Sequence, residues 1–127
     1  MAAYEGAVAS LLVAFDAIDE AVGGLDPTAP LMLVGGGARG RTWREVVGRF
    51  TGRAIQVPDA AELVAVGAAA QATAVLRGEP MGAIAARWGS SAGTRIEPVK
   101  VDRERLDLVR AVLDGAVAAA REVPAGT

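Results

Sequence analysis

The sequence contains neither cysteine nor histidine. Without cysteine there is no disulfide framework and no thiolate metal site. Without histidine the chain lacks the commonest general base and the commonest metal ligand. Neither a hydrolase triad nor a zinc site can be assembled from these residues. An excess of charge of one sign is also missing. Thirteen Lys and Arg stand against fifteen Asp and Glu, which argues against a polyanion-binding surface and against nucleic acid as a partner. Nor does the beginning of the chain hold an uninterrupted apolar run or a basic region. Glu5, Asp16, Asp19 and Glu20 break it up, so it reads as neither a signal peptide nor a membrane span. No repeat, low-complexity segment or domain linker is evident, and 127 residues suit one domain with one core. The lack of cysteine leaves the compartment open.

What is present is organised around residues 31–40, Leu-Met-Leu-Val-Gly-Gly-Gly-Ala-Arg-Gly. The apolar run 31–34 has the length of a buried parallel strand. Gly35, Gly36 and Gly37 then remove every Cβ and permit positive φ, so that another group can lie against the backbone. A helix over 42–51 should follow, with Thr42 and Glu45 as a capping box and Gly52 closing it. A strand, a glycine loop and a helix N-terminus in this order leave backbone N–H groups free to meet phosphate.

Two further readings of the glycines stay open. Gly35-x-Gly37-x-x-Gly40 fits the dinucleotide fingerprint, with Asp59 about twenty residues on as the ribose-binding carboxylate. The glycines also suit a tight strand-to-helix turn with no ligand, in a structural or interaction domain. Asp59 has a rival role, because with Glu62 three residues later it forms a second capping box; that role needs only local neighbours and is the favoured one.

Around this centre, Tyr4, Val8, Leu11, Leu12, Phe15, Ile18 and Val22 fall at helical spacing and predict an amphipathic helix over 2–22. Gly23 and Gly24 end it. A chain that starts directly in such a helix reads as a piece of something longer. Residues 54–57 suit a short strand closed by Pro58. The helix predicted over 60–77 is apolar nearly all round, which implies burial on most sides. Gly67 in its middle then calls for a close backbone neighbour to offset a propensity cost of about 1 kcal/mol. A short helix follows over 81–88, a loop over 89–94 and an irregular or edge segment over 95–98. A last helix over 103–122 has Asp102 as its cap and Leu106, Val109, Val112, Leu113, Ala116 and Val117 on one face. The tail 123–127 should fray.

Three segments together resemble a known family: Val34-Gly-Gly-Gly-Ala-Arg-Gly-Arg-Thr-Trp-Arg-Glu45, Val57-Pro-Asp59 and Glu62-Leu-Val-Ala-Val-Gly-Ala-Ala69. The order is similar to the C-terminal part of the FGGY carbohydrate kinases, most of all the xylulose kinases. Those enzymes have an aliphatic strand, Gly-Gly-Gly, a Trp-Arg-Gln helix, a Val-Pro strand end and a Glu-x-x-Ala-x-Gly-Ala-Ala helix. Ala2-Ala-Tyr-Glu-Gly6 resembles the start of the helix that precedes them.

The resemblance implies an α/β fold, part of the C-terminal subdomain of an actin-like (ribonuclease H-like) ATPase. It should be helix-rich, with a small sheet of two or three strands and residues 1–127 forming one partial domain. It implies ATP as the nucleotide, with Gly35, Gly36, Gly37 and Ala38 under the adenosine and α-phosphate. Arg41 stands where relatives carry a residue touching the adenine edge, and Gly67 where the buried helix passes close to the loop or the adjoining helix. It implies a cytoplasmic kinase acting on a pentulose, D-xylulose to D-xylulose 5-phosphate, with Mg2+ in the full-length enzyme. The sugar pocket, catalytic base and terminal-phosphate loops match segments that precede Met1 in relatives. The chain alone should therefore hold no catalytic residue and no metal ligand, be inactive, meet sugar only through the missing domain, and self-associate.

Overall fold

The computed structural model describes residues 1–60 and 62–122. The expectation for the tail 123–127 lies outside the described residues. Along the chain run α1 (Ala2–Ala21), β1 (Leu31–Met32), a 3-10 turn (Gly36–Arg39), α2 (Arg41–Thr51), β2 (Ile55–Pro58), α3 (Leu63–Arg77), α4 (Met81–Arg87), β3 (Gly93–Ile96) and α5 (Arg103–Glu122). This is a helix-rich α/β arrangement with a three-stranded sheet.

The sheet order is β1-β2-β3, with β1 parallel and β3 antiparallel to the central β2. Leu31 lies opposite Ile55, and Ile55 opposite Ile96. The segment 95–98, read from sequence as irregular or edge, thus supplies part of an edge strand. Gly93 makes this pairing possible. A Cβ there would overlap the Val57 carbonyl oxygen and press on the Pro58 backbone at 2.7 Å, so only glycine fits the crossing. Strand β1 is shorter and barer than the apolar run 31–34 implied. Regular pairing covers only Leu31 and Met32, although the Leu33 N–H still donates to the Gln56 carbonyl at 2.9 Å. Met32 and Val34 are half exposed, because β1 lies at a sheet edge with only one face packed.

The core gathers Val8 and Ala9 of α1, Val46, Val47 and Phe50 of α2, Ile55 and Val57 of β2, Leu106 of α5, and Ala38 from the turn. These residues come from sequence-distant elements, and their joint burial is the main force holding the body together. Tyr4 meets Trp43 edge-on at 6.1 Å, tying the start of α1 to α2. On α5, Leu106 is buried and Val109 and Leu113 pack against the core, whereas Val112 and Val117 face outward.

A buried ionic cluster joins the three helices of the body. The Glu5 side chain is 3% exposed and accepts hydrogen bonds from Arg49 at 3.2 Å and from Arg105 at 2.6 Å. Arg49 also meets Asp102 at 3.2 Å, and the Asp102 carboxylate accepts the Arg105 N–H at 3.3 Å, the cap foreseen for α5. The hydrogen bond from Arg105, reinforced by Arg49 and opposed by burial, holds the Glu5 carboxyl below its ordinary pKa.

Both capping boxes expected from sequence fail. Helix α2 starts at Arg41 with Gly40 as its N-cap, so Thr42 lies inside the helix, and Glu45 pairs with Arg41 at 2.7 Å instead. Helix α3 starts at Leu63 with Glu62 at the N-cap position and no side-chain cap bond from it. Asp59 follows directly on β2, where its N–H donates to the Ala92 carbonyl at 2.9 Å.

The larger correction concerns α3 itself. It packs against α4 and buries only Ala70, leaving Val64 89%, Val75 79% and Leu76 86% exposed. An all-round apolar pattern shows that a helix tolerates burial; it does not name what covers it. Gly67 has nothing within 4 Å of where its Cβ would stand, so the expected close backbone neighbour is absent among the described residues.

Candidate functional site

A crevice opens at the carboxyl ends of the two parallel strands, β1 and β2, with a cavity of about 300 Å³. In open α/β sheets this is where ligands bind, because the chain leaves adjacent strands in different directions there. Leu33, Val34, Val57, Pro58 and Leu63 supply the apolar part of a mixed lining, and Gly35, Gly36 and Ala38 contribute the loop after β1. Two charged residues reach it from separate connections: Arg39 from the 3-10 turn and Glu62 from the approach to α3.

The loop shape follows from its sequence. Gly35 has φ +87° and ψ 179°, a conformation open to glycine and strained for other residues. It turns the chain out of β1 and into the 3-10 turn. Within the turn the Ala38 N–H donates to the Gly35 carbonyl at 3.1 Å and the Gly40 N–H to the Gly37 carbonyl at 3.0 Å. The N–H groups of Gly36 and Gly37 have no backbone partner among the described residues. They are the free donors that a turn N-terminus offers an anion. Ala38 is 3% exposed and joins the core, so the loop is anchored from below. Nothing lies within 4 Å of a Cβ placed on Gly36 or Gly37, so that side of the loop is open.

Of the residues picked out from sequence, Gly35, Gly36 and Ala38 line the crevice, and Gly37 sits in the same turn without lining it. Arg41 stands apart. It is bound to Glu45, which raises its pKa, and it borders a second, mostly apolar groove of about 320 Å³ with Gly48, Ile96 and Val99. Asp59 also misses the crevice and lines a neighbouring cleft of about 310 Å³ with Arg39, Arg44 and Thr94. A doubly wound dinucleotide fold needs further parallel strands, whereas β3 runs antiparallel. Among the described residues no group of three or more His, Cys, Asp or Glu comes together to hold a metal ion. No helix among them is long and apolar enough to cross a membrane.

Residues 1–76, more than half of the chain, match the family described as "FGGY family of carbohydrate kinases, C-terminal domain". The chain belongs to the FGGY carbohydrate kinases. It is 55% identical over 116 residues to the xylulose kinase of Streptomyces rubiginosus and 50% identical over 115 residues to that of Streptomyces coelicolor. Each alignment covers 91% of this chain and 24% of the relative, so the chain spans about a quarter of the length of the curated relatives it matches. No solved structure matches it. In this FGGY domain, Arg39 and Glu62 are the crevice residues that pattern reading missed as such. Arg39 lies inside the quoted glycine motif, and Glu62 was assigned to a helix cap. The pairing of β1 with β2, which places both at one crevice, carries no local signal.

Proposed function

We propose that this chain is the adenine-nucleotide-binding part of a pentulose kinase with an actin-like ATPase fold, the whole enzyme passing the γ-phosphoryl group of ATP to D-xylulose. The observation that carries the reading is a crevice of mixed polar and apolar lining at the parallel strand ends, bordered by a Cβ-free loop whose Gly36 N–H has no backbone partner among the described residues. An adenosine fits such a lining, and the α-phosphate suits donors aimed from a turn N-terminus. The two relatives carrying the name xylulose kinase support the sugar assignment.

In this reading Gly35, Gly36 and Gly37 let the nucleotide lie against the backbone, and Ala38 fixes the loop to the core. Arg41 has an adenine-side role only if its bond to Glu45 opens. Phosphoryl transfer also needs a base for the sugar hydroxyl and metal-held terminal phosphates. We assign base, metal and sugar pocket to sequence outside residues 1–127, which makes these residues one partial domain of a cytoplasmic enzyme. The purified 127-residue chain should form no ADP from ATP when D-xylulose is added. Sugar-dependent turnover by this chain alone would contradict the division of labour.

A further inference from the structure

We infer that Glu62 accepts a hydrogen bond from the 2′-hydroxyl of the bound nucleotide's ribose, an inference that rests on the nucleotide reading of the crevice. Sequence spacing offered Asp59 as a ribose carboxylate, but Asp59 lines the adjoining cleft, and among the described residues Glu62 is the only carboxylate lining the crevice itself. At the N-cap position of α3, Glu62 makes no side-chain cap bond. Neither it nor Arg39 takes part in an ion pair among the described residues, although both border the same cavity. An exposed carboxylate with spare acceptor oxygens beside partly apolar walls suits a ligand that is flat and apolar on one side and carries O–H donors on another. Ribose supplies such donors. Phosphate does not, since two anions repel, so the phosphates belong with the free N–H groups and Arg39 at the other connection.

The test is calorimetric titration of the 127-residue chain with ADP and with its 2′-deoxy analogue. The parent should prefer ADP by about tenfold, the scale of one charge-assisted hydrogen bond. Glu62→Ala should lower ADP affinity to the deoxy level and leave the deoxy affinity unchanged. Glu62→Gln, whose amide oxygen still accepts, should keep part of the preference, and it carries the test if the alanine variant fails to fold. Asp59→Ala should keep the parent ratio. Equal affinities in the parent, or an undiminished ADP preference in both Glu62 variants, would overturn the inference while leaving the nucleotide site intact. Failure of ADP to bind at all would remove the nucleotide reading and this inference together.

Discussion

The body formed by α1, α2, β2 and α5 and the helix pair α3–α4 are built from similar residues and end in different states. In the body, apolar side chains from helices far apart in sequence close on Ile55 and Phe50, and a buried carboxylate joins three helices. In α3 a more uniformly apolar helix lies largely bare, touching α4 and burying Ala70. The contrast separates apolar composition from burial. Composition sets what a helix can bury, whereas stability comes only from surface that a neighbour removes from water.

Truncation should expose that contrast most strongly. Phe50→Ala, in the body, is expected to cost about 3–5 kcal/mol, because it leaves a cavity against Val46 and Ile55. Val75→Ala, in α3, should change stability by less than about 0.5 kcal/mol. Paired chemical denaturation of the two variants measures the difference, and equal losses would mean that α3 is covered in solution.

The ionic cluster sharpens the account of the body. Glu5→Gln should cost about 1–3 kcal/mol near neutral pH, the lower end applying because both arginines reach solvent and screen the loss. The folded pKa of Glu5 is depressed, so its contribution is complete above the ordinary carboxylate range. It fades as pH falls through that range towards the folded value. Thermal melts of parent and variant should therefore converge in acid. A gap that persists unchanged at low pH would mean that packing around Glu5, and not its charge, matters.

Smaller effects are expected on α3. With open space around Gly67, Gly67→Ala should stabilise by about 0.5–1 kcal/mol through helix propensity. A loss on thermal denaturation would restore the close neighbour that sequence suggested. Exposed Val64, Val75 and Leu76 should make the isolated chain self-associate at high concentration. Leu76→Ser should reduce the sedimenting size with little change in melting temperature.

Much of this architecture was legible because it is local. Helical spacing located α1 and α5 almost to the residue, Asp102 announced the α5 cap, and the glycine run marked the loop after β1. What failed depended on distant partners. Thr42 and Glu45 matched a capping box, yet the helix begins one residue earlier, at Arg41, which claims Glu45. The role of Glu5 was invisible because its arginines lie 44 and 100 residues away. The crevice divides the same way: the glycine motif marked Gly35 and Gly36 and the family resemblance added Ala38, and all three line it. The separation of Asp59 from the crevice and the arrival of Glu62 depend on how β2 leads into α3.

The central claim is that an adenine nucleotide lies on the loop at Gly35 and Gly36. Chemical-shift perturbation on titration with AMP, run beside NAD, tests it most directly. Binding should be weak, since the terminal-phosphate contacts are assigned elsewhere and the cost of association is only partly offset. AMP should nonetheless shift Gly35, Gly36 and Ala38. Gly36→Val should keep the fold, because its Cβ meets open space, and lose the shifts, because the side chain fills the place of the ligand. Asp59→Asn should leave AMP binding as it was. Perturbations that bypass the loop, or tight NAD binding that falls with Asp59→Asn, would contradict the account.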